Sequence, residues 1–384
     1  MKFVAKTLYG LEKVLERELH ALGAVSISTG NRAVFFEGNK ELIYSANYCL
    51  RTALSILLPI ASFRIKSKDD LYREGLRIKW ERYLSPENTF SVVPVVNSPV
   101  FSHSGYPGLI MKDSIADYFR NNTGRRPSVS AHDPDLVVNL HISNNSVSVA
   151  LDSTVVPLFK RGYRKEQSEA PLNEVLAAGI LLLAGWDGSE SLLDPMCGSG
   201  TFPIEAALIA GKIPPGKFRN FFGFMRWKDY DPTIFENIRS GYDQSALIPE
   251  IRISGSDISP IAIHQSEINV SEAGLSGQIS FQVKDIKDQK GSGSEVLFLN
   301  PPYGLRLNPG ETDQLYSTIG TALKHNFSGC NAWIVTPNKE ALKHVGLKPA
   351  QKHTLFNGAL ECSLLKYELY KGSRKPQADS QKTL

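Results

Sequence analysis

Leu192-Leu193-Asp194-Pro195-Met196-Cys197-Gly198-Ser199-Gly200-Thr201 is an apolar strand running into a glycine turn, with a helix beginning near Thr201. Glycines let a backbone approach a ligand closely, and the first turn of a helix offers N–H groups with no partner of their own. The turn is headed by an aspartate instead of a third glycine, and it lacks the Lys-Ser/Thr pair of a nucleotide P-loop. It points away from ATP and pyrophosphate cofactors and towards a cofactor with an amino-acid tail. A lone glycine turn is as often only a turn, so its weight depends on what surrounds it.

From Glu190 onward strand and helix alternate: a helix over 202–210, strands over 251–257, 279–283, 296–299 and 331–336, and helices over 261–273 and 315–325. That pattern predicts a mostly parallel sheet with helices on both faces, which binds ligands beyond the carboxyl ends of its strands. The first of these strands ends in Asp257, a carboxylate placed to accept both ribose hydroxyls of a nucleoside cofactor; equally, Asp257 and Ser259 can cap the helix that Pro260 opens, and both roles can hold together. Residues 212–248 interrupt the alternation and crowd Phe218, Phe221, Phe222, Phe224, Trp227 and Tyr230, a composition that favours a packed subdomain over a base-stacking lid.

The apolar run 296–299 stops at Asn300-Pro301-Pro302-Tyr303-Gly304. Two prolines cannot continue a sheet ladder; they remove backbone donors and fix φ, which leaves carbonyls and the Asn300 amide to face outward as acceptors. Such a corner suits an incoming NH2 group, with Tyr303 stacking on the ring that bears it. The bland alternative is a Pro-Pro turn ahead of a helix cap.

The N-terminal half has a different character. Strand, helix, two strands paired through Thr29-Gly30-Asn31 and a helix over 41–54 suggest a small ferredoxin-like module over 1–60. Residues 61–160 add strands near 91–95, 137–142 and 146–151 and helices near 71–83 and 109–121. Residues 1–165 hold 22 Lys and Arg against 15 Asp and Glu, while the remainder holds 21 against 24. A basic half joined to a mildly acidic half suggests a polyanion-binding module fused to something else, although an ordinary solvated surface gives the same numbers. Lys112, Arg120, Arg125 and Arg126 cluster at and beyond the second helix, where they suit phosphate contacts or simply complement a helix C-terminus. The linker 157–169 adds Lys160, Arg161, Arg164 and Lys165. His132, Asp133 and Asp135 lack a fourth ligand and read as a turn, and four scattered cysteines without CxxC spacing suggest neither disulfides nor zinc, so no metal is expected. No apolar run is long enough to span a bilayer and the N-terminus does not read as a signal peptide, which makes the cytoplasm the expected compartment.

The paired motifs 194–201 and 300–303, together with Lys160-Arg161-Gly162-Tyr163-Arg164, Ala170-Pro171-Leu172-Asn173-Glu174 and Asn357-Gly358-Ala359-Leu360-Glu361-Cys362, resemble the THUMP-domain RNA methyltransferases over nearly the whole chain. The resemblance implies a ferredoxin-like module (1–60), a THUMP RNA-binding domain (61–160), a Rossmann-like class I methyltransferase domain (161–372) whose seven-stranded sheet ends in an antiparallel hairpin, and a disordered tail (373–384). It implies S-adenosylmethionine as cofactor, held by Asp194, Pro195, Met196, Cys197, Gly198, Ser199, Gly200, Thr201, Asp257, Ile258, Asp285 and Asn300. Asn300, Pro301, Pro302 and Tyr303 would present the target amine. Lys112, Arg120, Arg125, Arg126, Lys160, Arg161, Arg164 and Lys165 would contact RNA. The nearest likeness is to bacterial enzymes that make N2-methylguanosine in large-subunit ribosomal RNA, free or in an assembly intermediate. Transfer RNA, N6-adenine methylation of RNA or DNA, and an RNA-binding module with a decayed cofactor site are the rival readings. Larger members of the family carry a second methyltransferase domain that this sequence does not show, so a dual activity is not expected.

Overall fold

The computed structural model describes residues 1–166, 172–302 and 309–370. These form two compact units. One comprises Met1–Tyr163, Glu174–Gly179 and Lys212–Leu247, and the other the described residues of Arg164–Asn173, Ile180–Gly211 and Ile248–Leu384.

The first unit contains β1 (Lys2–Thr7), α1 (Glu12–Ala21), β2 (Val25–Gly30), β3 (Ala33–Glu37), α2 (Lys40–Cys49), β4 (Ala53–Arg64), α3 (Lys68–Arg77), β5 (Thr89–Asn97), α4 (Tyr106–Thr123), β6 (Ser128–Val129), β7 (Leu136–Ser143) and β8 (Ser146–Asp152). Its eight strands lie in one sheet, in the order β2-β3-β1-β4-β8-β7-β5-β6. The helix expected over 41–54 stops at Cys49, and Ala53–Arg64 is a twelve-residue strand. A short apolar run such as Leu54 to Leu58 has no period that separates helix from strand. Pairing decides it: β4 sits between β1 (Ala5↔Ile56) and β8 (Leu58↔Leu151), so one strand serves both the ferredoxin-like and the following module.

In the second unit α5 (Glu174–Leu183), whose first turns group with the first unit, leads to β9 (Leu192–Asp194) and α6 (Thr201–Ala210). The insertion 212–247, with α7 (Pro232–Gln244), belongs to the first unit. The second unit resumes with β10 (Ile253–Asp257), α8 (Pro260–Glu272), β11 (Ile279–Val283), β12 (Val296–Leu299), α9 (Pro309–Asn326), β13 (Asn331–Thr336), β14 (Gln351–Asn357) and β15 (Leu360–Glu368). The strand order is β11-β10-β9-β12-β13-β15-β14. The first five strands are parallel and β15 runs antiparallel to both of its neighbours, the terminal hairpin the sequence led us to expect. All four residues of β12 are buried, as befits a central parallel strand covered on both faces.

The insertion's aromatics pack and do not form a lid. The Phe224 ring stacks on Tyr44 at 4.5 Å and on Phe222 at 5.4 Å, and Phe235 meets Tyr44, Tyr48, Phe222 and Phe224 edge-on. This is the core between α2 and α7, so the insertion completes the N-terminal unit and is no subdomain of its own. Among the described residues no helix is long and apolar enough to cross a membrane, and no three His, Cys, Asp or Glu side chains converge as a metal site. Asp133 is instead held by two N–H groups of Arg226, at 2.7 and 3.1 Å.

Phe235→Ala should lower the free energy of unfolding by about 3–5 kcal/mol, the usual cost of emptying a buried phenyl site. Denaturant titration checks this; unchanged stability together with weakened RNA binding would restore the lid.

Candidate active site

β9 and β12 are neighbours, with Val296 opposite Leu192 and Leu297 opposite Leu193, so the glycine turn and the diproline corner leave the same edge of the sheet side by side. Both line one cavity of about 890 Å³, within the size range of small-molecule sites. Asp194 to Ser199, Thr201, Asp257, Ile258, Asp285, Asn300, Pro301 and Pro302 all contribute to its wall. Tyr303 lies outside the described residues.

The glycine turn is tightly tied. Asp194 is buried, and its carboxylate accepts the Met196 N–H at 3.1 Å. Burial pushes that carboxyl well above the usual carboxylate range, and the nearby Asp257 adds to the shift. Asp257 accepts the N–H of Gly198 (3.0 Å) on one oxygen and that of Ser259 (2.9 Å) on the other, which leaves further lone pairs on both oxygens. Its reading as a helix-leading turn residue is therefore correct, and it also faces the cavity. At Asp285 burial alone would raise the carboxyl, but the Lys287 amide and ammonium outweigh it and hold the group below its ordinary value.

The two glycines have separate jobs. Gly198 lines the cavity with φ +53°, and a Cβ built there meets nothing within 4 Å. Gly200 has φ +83° and does not line the cavity; a Cβ there would press on Ser266 at 3.2 Å and Phe281 at 3.4 Å. Asn300 is half-buried in the wall, and among the described residues its amide has no hydrogen-bond partner.

Sequence reasoning missed Lys284, directly after β11, and the first turns of α9, where Glu311, Gln314, Leu315 and Thr318 complete the wall. The position of α9 directly after the diproline strand was the available signal, since helices that follow strands in such sheets begin at the ligand edge.

Of the basic residues, Arg161 is corrected. It is buried, with its guanidinium donating to the carbonyls of Leu158 (3.0 Å) and Arg51 (2.6 Å), so a phosphate cannot reach it. Arg164 is likewise turned inward. It donates to Ser199 Oγ (3.2 Å), Thr201 Oγ1 (3.0 Å) and the Leu172 carbonyl (3.1 Å), bonds that serve the cofactor turn. Lys160 and Lys165 are exposed. Arg120 and Arg125 are exposed and paired with Asp117 and Glu87, Lys112 is half-exposed beside Asp113, and Arg126 is exposed with no ion pair among the described residues. Surface pairs of this sort are worth little and exchange readily for phosphate.

The parallel sheet with its antiparallel hairpin and this cavity define a class I S-adenosylmethionine-dependent methyltransferase. The residues fit that cofactor. Asp194 is a buried carboxylate with no cation beside it among the described residues and so suits an ammonium, Asp257 retains acceptor capacity for hydroxyls, and Gly198 leaves room that a side chain would fill. A family model described as RMKL-like, methyltransferase domain, matches residues 161–366, with the RlmL ferredoxin-like domain matching 2–57 and the THUMP domain 66–152. The chain belongs to the RMKL-like methyltransferase family. It is 36% identical over 374 residues to a putative RNA methyltransferase of Synechocystis sp., covering 96% of this chain and 97% of that one. It is also 36% identical over 397 residues to the ribosomal RNA large subunit methyltransferase K/L of Syntrophotalea carbinolica, covering 98% of this chain but only 55% of the relative. The chain thus spans about half the length of the K/L relatives it matches. Among solved structures, a putative methyltransferase crystallised with SAH superposes with a TM-score of 0.87 at 29% identity, covering 97% of this chain and 99% of that one.

Gly198→Ala should cost about 1 kcal/mol in stability, from the left-handed conformation alone, yet weaken S-adenosylmethionine binding because the methyl enters the cavity. Gly200→Ala should show the reverse emphasis, with a larger drop in melting temperature from its clash with Ser266. Calorimetric titration and thermal melts of the two variants check this.

Proposed function

We propose that this chain methylates the exocyclic N2 amine of a guanine in RNA, with large-subunit ribosomal RNA, free or in an assembly intermediate, as the substrate. The observation that carries the reading is Asn300: an amide with no hydrogen-bond partner among the described residues, in the wall of the cofactor cavity, one strand from the glycine turn and held by a diproline corner. Support for RNA comes from the THUMP domain over residues 66–152 and from the names of the relatives. Within the cavity, Asp194 and the glycine turn take the amino-acid tail of the cofactor, Asp257 the ribose, and Ile258 and Asp285 the adenine. Lys112, Arg120, Arg125, Arg126, Lys160 and Lys165 remain as the phosphate contacts.

A guanine amine is a poor nucleophile because its lone pair is delocalised into the ring. The Asn300 Oδ1 and the Pro301 carbonyl accept its two N–H groups, which concentrates density on nitrogen and fixes the direction of its lone pair. Tyr303 stacks on a base turned out of its helix or already unpaired. S-adenosylmethionine, when bound, supplies the methyl carbon on a sulfonium leaving group. With the methyl group arriving on a sulfonium leaving group, this chain's residues would need to supply acceptors and alignment more than a strong base, and the amine proton would pass to solvent.

Asn300→Ala should reduce turnover by about two orders of magnitude or more, the usual effect of removing a group that acts on the reacting atoms, while leaving S-adenosylmethionine affinity nearly unchanged. Equal loss of both would remove Asn300 from this role. Nucleoside mass analysis of ribosomal RNA from cells lacking the protein should show one N2-methylguanosine missing. A missing N6-methyladenosine, or a change confined to transfer RNA, would overturn the choice of base or of RNA.

A further inference from the structure

The glycine turn is held from behind by a polar clasp. Along the turn, the Met196 N–H goes to Asp194, the Cys197 N–H to the Ser256 carbonyl (2.9 Å), the Gly198 N–H to Asp257 and the Gly200 N–H to the Cys197 carbonyl (2.8 Å). The Ser199 N–H has no acceptor among the described residues, although Ser199 lines the cavity. One side of helix α8 faces this turn with Ser266 and Asn269, one helical turn apart and both fully buried. Ser266 Oγ donates to the Gly198 carbonyl at 2.7 Å, and Asn269 Nδ2 donates to the Ser199 carbonyl at 3.1 Å. In a trans peptide the C=O and the following N–H point in opposite directions. Fixing the Gly198 carbonyl against α8 therefore directs the Ser199 N–H away from the helix.

Asn269 does more than hold the turn. Its Oδ1 accepts the N–H groups of Lys165 (2.9 Å) and Glu166 (3.1 Å), and its Nδ2 also donates to the Glu166 carbonyl at 2.8 Å. With four hydrogen bonds the amide is saturated. Arg164, next in the chain, reaches the same turn through Ser199 Oγ and Thr201 Oγ1.

We propose that Asn269 and Ser266, assisted by Arg164, are positioning residues that keep the Ser199 N–H free and aimed at the amino-acid tail of the cofactor, and that they tie the segment 164–166 to the turn that performs this binding. The proposal rests on the cofactor and not on the identity of the methylated base. Loosening the clasp releases the Gly198–Ser199 peptide to rotate, and the cost falls on ligands that carry the tail.

The test compares two ligands by calorimetry on the full chain: S-adenosylhomocysteine, which has the amino-acid tail, and 5′-methylthioadenosine, which lacks it. In Ser266→Ala and Asn269→Ala the dissociation constant for S-adenosylhomocysteine should rise about tenfold, the scale of one hydrogen bond to a charged group, while that for 5′-methylthioadenosine stays within about twofold of wild type. General damage to the fold would weaken both ligands alike. An equal loss for the two ligands, or no loss for either, overturns the proposal. Should Asn269→Ala fail to fold, Ser266→Ala carries the same comparison, since it removes a single hydroxyl.

Discussion

The parallel pairing of β9 with β12 is the constraint on which the site depends. Two motifs about a hundred residues apart become neighbours only because the strands that carry them share a ladder, each ending where its own loop begins. The register matters as much as the adjacency. A slip of one residue would turn every side chain of β12 to the opposite face, and the edge that presents Asn300 would no longer lie level with Asp194. Burial of all four β12 residues fixes that register strongly. The chemistry is thus set by apolar packing that ends one residue before the polar groups, at Leu193 ahead of Asp194 and Leu299 ahead of Asn300.

Around that pair, the cavity separates the residues that touch a ligand from those that shape the backbone. Gly198 and Gly200 look equivalent in a motif, yet one faces open space and the other is wedged against Ser266. Arg164 follows the same logic. As a cation in a polar linker it had the profile of a phosphate ligand, but its guanidinium fork is committed to two hydroxyls and a carbonyl of its own unit. Arg161 is buried among carbonyls. Charge in a sequence announces neither direction nor burial, which is why these two assignments failed while the exposed Arg126 and Lys160 remain open to a polyanion.

The second sheet was legible because four of its strands lead into Asp194, Asp257, Asp285 and Asn300, and the alternation with helices has few topologies to choose from. The terminal hairpin came with the family resemblance, and β14 and β15 pair on either side of Gly358-Ala359. What escaped was decided by partners distant in the chain. Ala53–Arg64 carries no period of its own and becomes a strand because β1 and β8 flank it. The wall formed by α9 and Lys284 has no motif, and Asn269 is an unremarkable polar residue in a helix until the turn and the linker are folded onto it. Tyr303 and the tail after Tyr370 lie outside the described residues.

The aromatic insertion bears on how the chain acquires its shape during synthesis. Tyr44 and Tyr48 find Phe224 and Phe235 only after the polypeptide has passed through β9 and α6 of the other unit. The N-terminal module therefore cannot finish its interior while it alone has emerged from the ribosome; it waits for a segment nearly two hundred residues downstream. Contacts of such long range are slow to form and leave apolar surface uncovered in the interval. In a nascent chain that surface stays uncovered until the segment ending at residue 247 has emerged, with β10 to β15 of the second unit still to follow.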